Sequence, residues 1–555
     1  MMTDASFATA ALPVKMRGSS ITTLAEPVEY GADLIKYGSN DSCSDGDVVT
    51  NTMPEFVSIN SRTDYRAYCV GWDLYKIVDG SDVFLRASTN TVVEGESFTN
   101  AIVTVDGAMK VVWHWKEQYY IAASPLAPSA ASTSGGTVSG AGWYFDGESF
   151  ALTATPAEGY KFVCWAGGVS LDTSDKQCST DLTYTTGDNV AEFVAVFLPE
   201  DFDATWLYIP SDAKIVRLTG PKWIFNDVAC DGTRISIPLK KVHLVPSAAS
   251  ALDMTGAVKD LDGNEYSFYR FTPTTSNGYD VNILGETERT DRGRKITSVI
   301  FPESITSIQS GTLSFLSACT SFDLLGKIGS VTVRQFHYAT SCKWIRFHYF
   351  PPTVASTSDW TFYGCGAADY AFRIEYPSYL ENAWLCATNN GARYDYKNVM
   401  TANEKKTALS AYRNVFGKDA AEPNGYATLN FIKGVANPKR KASLVSYEAP
   451  IKSGKIALGI MGLPYAVARA EAMSPSYGYH EYDTGEPIVV GAPRRFTELN
   501  GQPYYCKGYV LSTNPAVTNS YVSSFTLPGD VDANIGVTWV WKTYSGVKGM
   551  VISVR

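Results

Sequence analysis

ITSVIFPESITSIQSGTLSF, residues 296–315, leads into FLSACTSFDLL (315–325), YATSCKWIRFH (338–348) and FYGCGAADYAFRI (362–374). Cys319, Cys342 and Cys365 stand 23 residues apart; each has an apolar residue three places before it (Leu316, Ala339, Phe362) and an apolar run after it. A repeat of this length is too short to bury its own apolar face, so it becomes stable only by stacking on its neighbours. The three cysteines are therefore expected one above another as small buried thiols, not as members of a disulfide framework.

The rest of the composition agrees with a chain of small sheets. At 555 residues the chain is expected to divide into about three to five domains. Its 34 Tyr, 25 Phe and 12 Trp, punctuated by 45 Gly and 26 Pro, favour short strands over helices. A net charge of −9 gives no basic footprint for nucleic acid or an anionic membrane, and no apolar run reaches the length of a spanning helix, so no membrane insertion is expected. The opening MMTDASFATAALPVKMRGSS carries Asp4 early and does not resemble a secretory signal. With the ending at VISVR, this suggests a mature fragment or a piece of a longer product.

The two ends read as copies of one module. Residues 68–72 (YCVGW) and 112–116 (VWHWK) recur as 505–509 (YCKGY) and 537–542 (VTWVWK). In both places apolar and polar residues alternate, so Trp113 with Trp115, and Trp539 with Trp541, are expected on one buried strand face. A single helix is predicted over residues 401–417, with Thr401 and Glu404 as a capping box, Gly417 past its end, and Ala408, Leu409, Tyr412 and Val415 on its apolar face. It is expected to cover the open end of the stack.

Residues 294–384 resemble the cysteine-bearing leucine-rich repeats of bacterial surface proteins, through the recurring Ile-Thr-x-Val-x-x-Pro and Cys-x-x-apolar pattern. That resemblance implies a short solenoid. Residues 135–197 resemble the internalin-type B-repeat through Gly147, Glu148, Phe150, Leu152, Ala154, Pro156, Gly159, Tyr160, Phe162, Trp165 and Phe197. Here the resemblance implies a β-grasp-like spacer or contact module of a surface protein. The expected architecture is thus mainly β and multi-domain, with β-grasp or β-sandwich-like modules flanking a leucine-rich-repeat solenoid. The segments are a β-module at 1–119, the B-repeat-like unit at 120–200, an unassigned β domain at 201–290, the solenoid at 291–385, a helical cap at 386–460 and the second end module at 461–555.

Signatures of catalysis are missing from the sequence: no GxSxG elbow, no HExxH, no phosphate-binding glycine loop. His114 alternates with two tryptophans and reads as their outward partner. His337 and His348 flank Cys342 at five and six residues without a fourth ligand, so no metal site is expected. Asp41, Asp45 and Asp47, and Asp260, Asp262 and Glu265, form acidic turns that lack the twelve-residue calcium-loop pattern. The candidate binding residues are Tyr477, Tyr479 and Tyr482, placed in a loop able to stack on a ligand. No catalytic residue and no cofactor is assigned. The expected role is adhesion or partner presentation on a protein or glycan surface, outside the cell. The alternatives are a carbohydrate-binding or carbohydrate-processing protein, and a filament or phage-fibre subunit that self-associates through its end modules.

Overall fold

A computed structural model describes residues 19–27, 43–89, 99–130, 134–167, 174–186, 192–239, 246–273, 295–308, 312–331, 335–350, 352–354, 365–366, 371–386, 441–463, 467, 472–493, 497–499, 502–520 and 522–543. The chain is mainly β, with several separate sheets and little helix. It divides into two compact units, residues 1–169 with 177–200, and residues 170–176 with 201–555. Among the described residues no helix is long and apolar enough to cross a membrane. The helix predicted over 401–417 lies outside them.

In the first unit the strands are β1 (Ser20–Glu26), β2 (Val48–Thr52), β3 (Phe56–Ser58), β4 (Tyr65–Val78), β5 (Ser81–Thr89), β6 (Asn100–Thr104) and β7 (Ala108–Ile121). Long antiparallel β4 and β7 form the spine. β1 pairs parallel with β7, β3 and β5 pair with β4, and β2 with β6 makes a separate ribbon. Trp113 and Trp115 alternate on one face of β7 and are at most 3% exposed, packed with Trp72 and Cys69. Seven further strands follow: β8 (Ala123–Leu126), β9 (Gly136–Ser139), β10 (Gly142–Phe145), β11 (Ser149–Pro156), β12 (Tyr160–Ala166), β13 (Asp181–Thr185) and β14 (Phe193–Pro199). They make two three-stranded sheets, β13-β11-β9 and β12-β14-β8, while β10 joins β7.

The second unit opens with β15 (Trp206–Ile209), β16 (Lys214–Arg217), β17 (Ile224–Phe225), β18 (Ala229–Asp231), β19 (Arg234–Leu239), β20 (Ser250–Asp253), β21 (Val258–Asp260) and β22 (Glu265–Pro273). All but β20 form one seven-stranded sheet over Trp206, Trp223, Phe225 and Phe268. β20 is instead the first rung of a parallel stack. It is followed in order by β23 (Ile296–Phe301), β24 (Ser321–Leu324), β26 (Trp344–Phe347) and β28 (Ala371–Pro377), and ends at β29 (Lys441–Tyr447). β25 (Ser330–Val331) and β27 (Thr353–Val354) repeat the same 23-residue rise beside it.

The stacking rests on backbone chemistry repeated at the sequence period. Thr320 N–H donates to Thr297 O at 2.8 Å and Lys343 N–H to Thr320 O at 2.7 Å, each bond spanning 23 residues. Cys319 N–H reaches Leu316 O, and Cys342 N–H reaches Ala339 O, both at 3.0 Å. The residue three before each of these cysteines is thus the acceptor of a tight turn. The thiols of Cys319, Cys342 and Cys365 are free and at most 1% exposed, inside one core that runs from Trp206 to Met461. The first rung of the stack, β20 at Ser250, carries no cysteine and pairs parallel with β23.

The last module comprises β30 (Lys455–Leu463), β31 (Gly478–Asp483), β32 (Ile488–Gly491), β33 (Thr497–Leu499), β34 (Gln502–Leu511), β35 (Asn514–Ser520), β36 (Ser524–Leu527) and β37 (Ile535–Thr543). Its pairings repeat those of the first module: β30 runs parallel to β37, β34 antiparallel to it, β33 and β35 flank β34, and β32 with β36 makes the ribbon. Both modules also carry the same β-bulge. Cys69 faces Trp115 and Gly71 faces His114, with Val70 extra; Cys506 faces Trp541 and Gly508 faces Val540, with Lys507 extra. Gly71 and Gly508 share φ 142°, a conformation that strongly favours glycine.

The modules differ where the second one meets the stack. Gly459 pairs with Gly536 across β30 and β37, whereas the corresponding pair in the first module is Thr22 with Lys110. Against the two glycines lie Leu380 and the carbonyl of Tyr379, from the turn and short helix (Glu381–Cys386) after β28. Asn382 Nδ2 donates to Thr538 Oγ1 at 3.0 Å across the same seam.

Candidate functional site

Along a parallel strand successive side chains point to opposite faces. Phe322, Ile345 and Ile374 are buried in the core, so their neighbours Asp323, Arg346 and Glu375 form a row on the other face. Arg346 Nε and Nη2 both donate to Glu375 Oε2, at 2.9 and 2.7 Å, and Nη1 lies 3.7 Å from Asp323. Asp323 Oδ1 is 2.6 Å from His348 Nε2, and His348 Nδ1 is 2.9 Å from the Tyr447 hydroxyl. The Arg346 guanidinium also lies against the rings of Trp344 and Tyr447, 4.7 and 4.8 Å from their centroids. Burial, opposed by nearby Arg346, keeps the Tyr447 phenol far above its ordinary range.

His348 also lines a cavity of about 220 Å3 formed with Tyr349, Tyr379, Lys452, Tyr479, Glu481 and Asn534. Lys452 Nζ bridges Glu303 at 2.9 Å and Glu481 at 3.2 Å, and the Tyr479 hydroxyl donates to Glu481 at 2.5 Å. The Tyr479 bond, with Lys452, holds Glu481 below the usual carboxylate range against the effect of burial. For Lys452 burial disfavours charge, yet its bonds to Glu303 and Glu481 carry the net shift upward.

Of the three tyrosines expected in a loop, Tyr479 and Tyr482 stand instead on strand β31, paired with β30, and Tyr477 immediately precedes it. Tyr479 enters the cavity, its ring 4.6 Å from that of Tyr349. Tyr477 packs on Phe350 and Tyr482 against the module core, so the three do not make one platform. Trp344 and Arg346 were missed by sequence reasoning, and His348 was weighed there only as a metal ligand. The 23-residue period carried the signal, because Asp323 and Arg346, like Leu325 and His348, stand one repeat apart.

The other polar candidates are used in holding the fold. His114 lies 3.3 Å from Glu26 and 3.0 Å from Asp73, tying β1 and β4 to β7. Asp260 accepts from the Asp262 and Asn264 amides, from Asn264 Nδ2 and from the Tyr266 hydroxyl, which closes its turn. Asp45 accepts from Ser19 and from Gly107 N–H, and Asp47 from Ser44 N–H; Asp41 lies outside the described residues. No group of three or more metal-ligating side chains is assembled among the described residues.

The module after β7 is decided by its aromatic core and turns. Phe150, Leu152, Trp165, Phe193 and Phe197 are buried, Trp165 Nε1 donates to Ser179 O at 2.8 Å, and Gly147 and Gly159 turn the chain before β11 and β12. Residues 128–200 match the divergent InlB B-repeat domain. Within the matching stretch Phe150, Leu152, Ala154, Trp165 and Phe197 are buried, and Gly147 and Gly159 turn the chain. No family match supports the likeness of residues 294–384 to leucine-rich repeats. No curated protein and no solved structure matches the chain.

Proposed function

We propose that this chain is a non-enzymatic surface or secreted protein that acts in adhesion or partner presentation. The observation that carries the reading is the B-repeat domain at 128–200, a kind of module typical of surface-associated repeat proteins. In the second unit, the parallel stack from β20 to β29 is read as a short leucine-rich-repeat-type solenoid that presents a rigid face. Rigid strands hold polar groups in place before a partner arrives, which lowers the ordering cost of binding. Function lives in such a site and not in the fold itself.

The test is surface exposure together with attachment. Protease treatment of intact producing cells is expected to release peptides of this chain and to reduce their attachment to immobilised host glycans and proteins. Retention of the whole chain inside intact cells, with attachment unchanged, overturns the proposal.

A further inference from the structure

We propose that the outward face of the parallel sheet, from Trp344 across Arg346 to the cavity at Tyr349 and Tyr479, is a binding site for a neutral glycan. The inference rests on the reading of the chain as a binding protein and names the ligand class of that same site. Trp344 is half-buried, with the Arg346 guanidinium against its ring. Asp323 and Glu375 oppose Arg346 and Arg373, two acids against two guanidinium groups, and the four are linked by ion pairs of 2.7 to 3.7 Å. In the cavity Lys452 bridges Glu303 and Glu481, and Lys455 lines the same space, so two lysines stand with two carboxylates.

Charge so matched selects against ionic ligands. A charged group would have to take one member of a partly buried pair and leave the other uncompensated, which is strongly unfavourable. An apolar segment would strip water from the carboxylates and return nothing. A polyhydroxyl ligand suits both constraints. An ionised carboxylate offers about four acceptor sites, so half-buried Asp323, 3.7 Å from Arg346, can accept a hydroxyl donor without giving up Arg346, while buried Glu375 holds Arg346 in place. The C–H face of a sugar ring packs on Trp344. The cavity is smaller than the roughly 300–1,000 Å3 of drug-sized pockets and suits one ring-sized unit. Four residues of strand separate Trp344 from His348, about 13 Å, so a bound chain has more than one sugar unit on the site.

The test uses the full chain on immobilised neutral gluco-, manno- and galacto-oligosaccharides, with uronic-acid oligosaccharides and peptides alongside. Binding to a neutral member is expected, unchanged between about 0.05 and about 0.5 M salt because no net charge is neutralised. Trp344→Ala is expected to weaken it at least about tenfold at an unchanged melting temperature, and Trp344→Phe to keep most of it. The site is refuted if the wild-type chain binds no neutral oligosaccharide, if it prefers the charged ones or the peptides, or if Trp344→Ala binds as tightly as wild type. Attachment to protein partners by a wild-type chain that binds no neutral oligosaccharide would sink the glycan site and leave the adhesion reading standing. Release of sugar product would sink that reading instead.

Discussion

Replacing Gly536 by alanine tests how the last module is held on the parallel stack. A Cβ there would lie 1.9 Å from the Tyr379 carbonyl oxygen and 2.7 Å from Met461 Cε. Ordinary contacts sit at about 3.5–4.0 Å, and the oxygen belongs to the backbone, so the two layers must part by more than about 1 Å. A gap of that size forfeits a quarter to a half of the dispersion energy along the seam, and overpacking of this kind costs about 1–3 kcal/mol. Gly459→Ala meets Leu380 Cδ2 at 2.3 Å, the end of a flexible side chain, and should cost less. Gly329→Ala, with nothing within 4 Å of the added carbon, serves as the control. Calorimetry should rank the melting temperatures Gly536→Ala below Gly459→Ala below Gly329→Ala, with amide exchange accelerated at residues 378–384 in the first. Equal melting and equal exchange in all three would refute the close approach on which the seam depends.

Three further outcomes follow from the same interactions. Alkylation in denaturant without reductant should label Cys319, Cys342 and Cys365; a Cys319–Cys342 disulfide peptide would contradict the ladder. Trp113→Ala and Trp539→Ala should each destabilise their own module by about 3–5 kcal/mol in urea titrations, and a silent result in one alone would break their equivalence. Glu481 has a folded-state pKa below its ordinary 4.5, so its contribution is present above that value and is lost as pH falls through the lower folded one. The melting temperature of Glu481→Gln should therefore lie below wild type at pH 6, and the difference should shrink as pH falls below 4.5; a constant difference would mean that the carboxylate charge is not what matters.

The parts of the fold legible in sequence were those governed by local repetition. The cysteine period marks the stack because each turn spends the same carbonyls, Leu316 and Ala339, on the same amides. The tryptophan alternation marks the end modules because β7 and β37 bury one face. What escaped depends on contacts between distant segments. Rung β20 precedes the first cysteine and pairs with β23 across more than forty residues of chain. The glycine pair at Gly459 and Gly536 has meaning only against Tyr379 and Leu380. Tyr477, Tyr479 and Tyr482 read as a loop, yet pairing of Gly478–Asp483 with Lys455–Ile460 puts Tyr479 and Tyr482 on a strand. The Asp323–Arg346–Glu375 row joins residues one repeat and then 29 residues apart, and its last step breaks the period that would have revealed it.

Whether this chain binds without chemistry is decided by following binding and turnover together. Purified full-length protein is incubated with a panel of polysaccharides and peptides, and the bound fraction and released products are measured in the same vessel. Saturable binding to at least one surface ligand is expected, with no reducing sugar or new peptide terminus above the no-protein control. Time-dependent product release that is lost on substitution of a single acidic residue within 201–290, or of Glu481, would contradict it.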